Sequence, residues 1–78
     1  MREKQPRFVV TFRTTAEAMA MEKRCREAGV PGRLIPLPRA ISAGCGMCWS
    51  APREAREVVE DLVMEAHLDV DGIYQVVL

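Results

Sequence analysis

Arg7-Phe8-Val9-Val10-Thr11-Phe12-Arg13 runs directly into Thr14-Thr15-Ala16-Glu17, and this junction decides the fold. Between its two arginines the first segment is wholly β-branched or aromatic. It reads as a strand with Phe8, Val10 and Phe12 on one face. The four residues after it form a Thr-x-x-Glu capping box, the signature of a helix start. Ala18, Met21, Cys25 and Ala28 then recur at helical spacing, while Glu22, Lys23, Arg26 and Glu27 occupy the other faces. Gly29, followed by Val30-Pro31, ends the helix.

Outward from this β-α unit, Arg33-Leu34-Ile35-Pro36-Leu37 predicts a short strand whose proline suits a sheet edge. Pro38 to Gly46 is an irregular loop with glycine on both sides of Cys45. Met47-Cys48-Trp49 predicts a brief third strand. Ser50, with Pro52 in the first turn, predicts the N-cap of a second helix. Ala55, Val59, Leu62 and Ala66 form its apolar stripe, widened by Val58 and Val63. Asp71-Gly72 reads as a turn into a last strand, Ile73 to Leu78. The order β-α-β-β-α-β is the split βαβ, ferredoxin-like pattern. It implies an α+β fold with a four-stranded antiparallel sheet in the order 4-1-3-2 and two helices on one face. Residues 7–78 form the single expected domain and residues 1–6 a tail. The other sheet face should be open, with Val9, Thr11, Ile73 and Val77 on it, and homodimerisation through that face is the simplest use of it.

Seventy-eight residues allow one domain with a small core. Hydrophobic residues at 49% and charged residues at 28% fit a globular chain rather than a disordered one. No apolar run approaches the roughly 20 residues that span a bilayer, so no membrane partner is expected. The first six residues lack the apolar core of a signal peptide, which points to the cytoplasm. The net charge of zero hides an asymmetry. Residues 1–53 carry ten Lys/Arg against four Glu, and residues 54–78 carry Arg56 against seven acids. Such segregation suits a directional, charge-complementary contact or two solvated faces. Nucleic acid is a poor partner, because the cations are scattered and the aromatics are only Phe8, Phe12, Trp49 and Tyr74.

Three cysteines, an odd number, do not suggest a disulfide framework. Each is core, metal ligand or reactive thiol. Cys25 sits on the apolar helical stripe and reads as core. Cys45 and Cys48 form a C-x-x-C that leads into a strand rather than a helix. If extended, its Cα atoms lie about 10 Å apart. A disulfide needs under about 7 Å, so thiol-redox chemistry would require a tight turn at Gly46. Zinc needs four ligands; Cys25 and His67 complete a set on paper, but the topology puts Cys25 at the opposite end. No metal and no cofactor is expected. His67, alone near a helix end, reads as a terminus-stabilising cation. Cys45 differs from the other two in its glycine-flanked loop. The topology brings that loop near Arg13, Thr14 and the N-terminus of the first helix, and Arg39 precedes it. Positive potential stabilises a thiolate, the nucleophilic form. A functional thiol and a structural loop cysteine both fit.

The run Pro-Leu-Pro-Arg-x-Ile-Ser-x-x-Cys-Gly, Pro36 to Gly46, resembles the selenium/sulfur (Se/S) carrier protein-like family. Phe12, Thr15, Ala16 and Ala18 near the start and Gly72-Ile73-Tyr74 near the end are similar to it as well, so the resemblance spans roughly residues 8–78. It implies a carrier rather than a turnover enzyme, with Cys45 holding sulfur or selenium as a persulfide-type adduct. It implies donor and acceptor proteins as partners. Arg39, Ser42, Gly44, Gly46, Arg13 and Thr14 would then surround the adduct anion. Cys48, a second thiol close by, departs from the family's pattern and would mean a resolving thiol rather than pure carriage.

These readings rank the thiols. Limiting iodoacetamide at neutral pH should label Cys45 first, Cys48 more slowly and Cys25 last, as read by peptide mapping. Arg39→Ala and high salt should each slow the Cys45 reaction. Equal rates at Cys45 and Cys48, indifferent to Arg39, would make Cys45 a structural residue.

Overall fold

The computed structural model describes residues 6–39, 41 and 46–77. Strand β1 (Pro6–Phe12) leads to helix α1 (Thr15–Ala28), then β2 (Arg33–Pro36) and β3 (Met47–Pro52). A 3-10 turn (Arg53–Ala55) leads into α2 (Arg56–Glu65), and β4 (Val70–Val77) follows. The sheet order is β2-β3-β1-β4 with every pairing antiparallel, which is the expected order read from the other edge. The fold is α+β, and β2 with its proline lies at an edge.

β1 is buried from Phe8 to Phe12 because both of its faces are covered. Phe8, Val10 and Phe12 join Ala18, Met21 and Cys25 of α1 and Val59 of α2 in one cluster. Both helices therefore pack on that face. Val9, on the opposite face, packs with Cys48 and Ile41, and Ile35, Leu37 and Val76 surround them. This corrects the expected open face. Val9 and Thr11 are fully buried, and Thr11 Oγ1 donates to the Gly72 carbonyl at 3.2 Å. Ile73 pairs with Val10 and so lies on the helix side. Val77, four residues along the same strand, shares that side.

The capping box holds in half. Thr14 Oγ1 accepts the Glu17 N–H at 3.3 Å, but the Glu17 carboxylate accepts the Asp69 N–H at 3.4 Å, tying the start of α1 to the α2–β4 connection. Gly29 ends α1 in the left-handed conformation, φ 70°, with Val30 N–H donating to the Cys25 carbonyl at 2.9 Å. The same ending recurs on α2 with His67 at φ 53°, and Leu68 N–H reaches the Val63 carbonyl at 3.1 Å.

Three further expectations are overturned. Ser50 does not cap α2. β3 runs on through Pro52, which pairs with Arg7, and the Ser50 hydroxyl accepts Arg7 Nε instead. Asp71-Gly72 is not a turn: β4 starts at Val70, and a bulge between Thr11 and Phe12 absorbs the extra residue. Val58 faces solvent, because the helix turns Val59 and Val63 inward in its place.

Gly32 is where backbone and side chain meet most closely. Its φ of 139° suits glycine alone. A β-carbon there would lie 2.6 Å from Trp49 Nε1 and 2.7 Å from the Ser50 carbonyl. The indole is packed so tightly that its buried Nε1 finds no hydrogen-bond partner. Gly32→Ala should therefore lower unfolding free energy by about 2–3 kcal/mol in urea titrations. A change under about 0.5 kcal/mol would contradict the packing described here.

Candidate functional site

Sheet register decides which residues can meet. Thr11 pairs with Cys48 on one side and with Gly72 on the other. The residues just beyond Thr11 on β1, just before Cys48 on β3 and just before Gly72 on β4 therefore share one end of the sheet. Arg13, Thr14, Gly46 and Asp71 lie at this end. Ser42, Gly44 and Cys45, three of the expected site residues, lie outside the described residues.

The residues flanking them are ordered by local bonds. Leu37 N–H donates to the Gly46 carbonyl at 3.0 Å, one step beyond the Pro36–Met47 pair, so this bond closes the loop at its base. Ile41 N–H donates to the Pro38 carbonyl at 3.0 Å, a four-residue turn with exposed Arg39 inside it. The Ile41 side chain is only 8% exposed and rests on Val9 and Cys48. Sequence reasoning assigned no role to Ile41. The available signal was an isoleucine among the glycines and small residues of the loop. An added β-carbon at Gly46 would meet nothing within 4 Å among the described residues.

Electrostatics at this end differ from the sequence reading in one respect. Arg13 Nε lies 3.7 Å from Asp71 Oδ1, both side chains being solvated. A surface pair of that kind is weak, but it divides the charge Arg13 can offer an anion. The Thr14 hydroxyl already accepts a hydrogen bond as the N-cap of α1. Arg39 carries no such pairing among the described residues. His67, at the left-handed end of α2, is exposed.

The other two thiols are buried. Cys48 sits in β3 between Thr11 and Ile35, with no solvent exposure. Cys25 is equally buried in α1, and desolvation pushes its thiol up to about 11 from an ordinary value of 9.0. The thiolate is the form that burial penalises, so at neutral pH Cys25 is a protonated, unreactive core group.

That shift has a pH signature. The raised folded-state value gives stability that is full below about 9 and is lost as pH climbs toward about 11. Cys25→Ala removes the thiol and this slope, while leaving a small cavity. The stability gap between the two proteins should therefore shrink by about 2–3 kcal/mol from pH 8 to pH 11 in urea titrations. A gap constant across that range would show that Cys25 is not desolvated.

Comparison with curated proteins and with solved structures gives no match. Residues 7–75 match the family described as "Putative Se/S carrier protein-like". The matched stretch covers every described strand and helix but their outermost residues, together with the Pro36–Gly46 motif. The chain belongs to the Se/S carrier protein-like family.

Proposed function

We propose that this protein carries sulfur or selenium on Cys45 and relays it between partner proteins in the cytoplasm. The domain runs from β1 to residue 78 and is of ferredoxin-like βαββαβ type, with the residues before β1 as a tail. The observation that carries the reading is the family match across residues 7–75, which includes the Pro-Arg-x-Ile-Ser-x-x-Cys-Gly run. The shared sheet end supports it, because Gly46, next in sequence to Cys45, lies at the same end as the N-terminus of α1.

Loading is a thiol exchange that balances without an external oxidant. The Cys45 thiolate attacks the terminal sulfur of a donor persulfide. A new bond forms between Cys45 Sγ and that sulfur, the donor S–S bond breaks, and the donor leaves as a thiolate. The terminal sulfur keeps its charge or takes one proton from water. Unloading repeats the step toward an acceptor thiolate. Selenium follows the same path as a perselenide. Arg39 and the α1 N-terminus supply positive potential for the adduct anion, with Arg13 sharing its charge with Asp71. Ser42, Gly44, Gly46 and Thr14 provide hydroxyl and backbone N–H groups around it. Cys48 is the resolving thiol in this scheme: its attack on Cys45 Sγ would form a disulfide and expel hydrosulfide, once β3 opens enough to expose it.

Incubation with a sulfur-loaded cysteine desulfurase should raise the intact mass by one sulfur atom. Cys45→Ser should abolish the gain, and Cys25→Ala should preserve it. Gly46→Ala, for which the fold has space, should leave stability within about 0.5 kcal/mol of the parent. No gain in the parent chain, or an equal gain in Cys45→Ser, would refute the carrier reading.

A further inference from the structure

The sheet face turned away from the helices carries charge that no described residue balances. The strand registers put Arg7 and Arg33 on it, on either side of Ser50, with Ile35, Tyr74 and Val76 around them. The ion pairs among the described residues are Arg13–Asp71, Arg26–Glu22 and Arg56–Glu60, so neither Arg7 nor Arg33 has an acidic partner there. Arg7 is nonetheless held in place. Its Nε donates to Ser50 Oγ at 2.9 Å, and Ser50 is 2% exposed. A nearly buried hydroxyl thus holds a long cationic side chain against β3, the strand that Arg33 also flanks. One guanidinium donor is used and four remain. Fixing the side chain in advance lowers the entropy lost when those donors meet a ligand.

We infer that this face docks an acidic, amphipathic segment of a partner protein, its carboxylates on Arg7 and Arg33 and its apolar side chains on Ile35, Tyr74 and Val76. Charge complementarity sets the sign of the partner. Single-stranded nucleic acid fits less well, because it needs stacking platforms and Tyr74 is the face's one aromatic among the described residues. A second copy fits poorly in either arrangement. Sheet-to-sheet pairing would set arginine against arginine. The acidic α2 of another copy, with Val58 and Met64 exposed, has suitable chemistry, but it lies on the opposite side of the molecule. That contact is head-to-tail and grows without closing. The inference does not rest on the carrier reading, since Arg7 and Arg33 lie toward the other end of the sheet from Gly46.

The test is a titration of isotope-labelled full-length protein with poly-L-glutamate at low salt, followed by NMR. The expected result is movement of the Arg7 Nε–Hε signal and of the Ser50 and Arg33 amides. Binding should weaken with added salt, and about tenfold in Arg33→Gln, a residue whose side chain has no hydrogen bond or ion pair among the described residues. Arg7→Gln should weaken it similarly, with far-UV circular dichroism checking that the fold persists. Shifts confined to Lys23 and Arg24 of α1, or affinity unchanged in Arg33→Gln, would overturn the assignment. Tighter binding of a single-stranded oligonucleotide at the same signals would overturn the choice of a protein partner. Concentration-dependent self-association in sedimentation, abolished by Arg33→Gln, would replace the partner with a second copy.

Discussion

Burial of β1 on both faces is the constraint on which the rest of the structure depends. A strand with apolar side chains on alternate faces could leave one side to water; here Phe8, Val10 and Phe12 need the helices, while Val9 and Thr11 need a cover of their own. Central placement in the sheet satisfies the backbone of β1 through β3 and β4. The helices satisfy the first face. On the second, Ile41, Leu37 and Val76 close over Val9 and Cys48, so the segment that leads toward Cys45 is packed against the sheet by the same demand that fixes the core.

Much of this architecture is legible in the residues before any coordinates are seen, and the failures share a physical form. β1, α1 with its two ends, and the edge position of β2 follow from periodicity, Thr14, Gly29 and Pro36, all short-range signals. The misread positions are those where a long-range pairing overrides local preference. Ser50-Ala51-Pro52 has the composition of a helix start, yet its register with Arg7 and Val9 keeps it in β3 and gives the Ser50 hydroxyl another partner. Asp71-Gly72 has turn chemistry, yet the α2 connection turns at His67, a weaker signal for a left-handed position than glycine. Moving the start of β4 upstream brought a bulge with it, and the side assigned to Ile73 changed accordingly. At the candidate site the motif around Cys45 was legible and the Arg13–Asp71 pair was not, because it joins residues far apart in sequence.

Charge segregation along the chain becomes charge segregation in space. The acids of α2 lie in the helix layer, and Arg7 and Arg33 lie across the sheet from them. The shortest dimension of the molecule is only 16 Å, about two Debye lengths at physiological salt. A neutral chain of this kind can orient an approaching partner although it attracts none by net charge.

The pairing of Thr11 with Gly72 has a consequence for how the chain reaches this state. The hydrogen bond between them spans 61 residues, and the β1–β3 pairs span 37 to 45. The strand with the greatest need for cover thus receives both neighbours from segments made much later. During synthesis, at about 5–20 residues per second, β1 and α1 wait several seconds for those partners with an apolar strand only half shielded. Loop closure over such distances precedes any reward from the contacts, so folding belongs to the slower regime of mixed α/β chains. Nascent-chain association through Phe8–Phe12 is the hazard this topology carries, and it is relieved only when β4 docks.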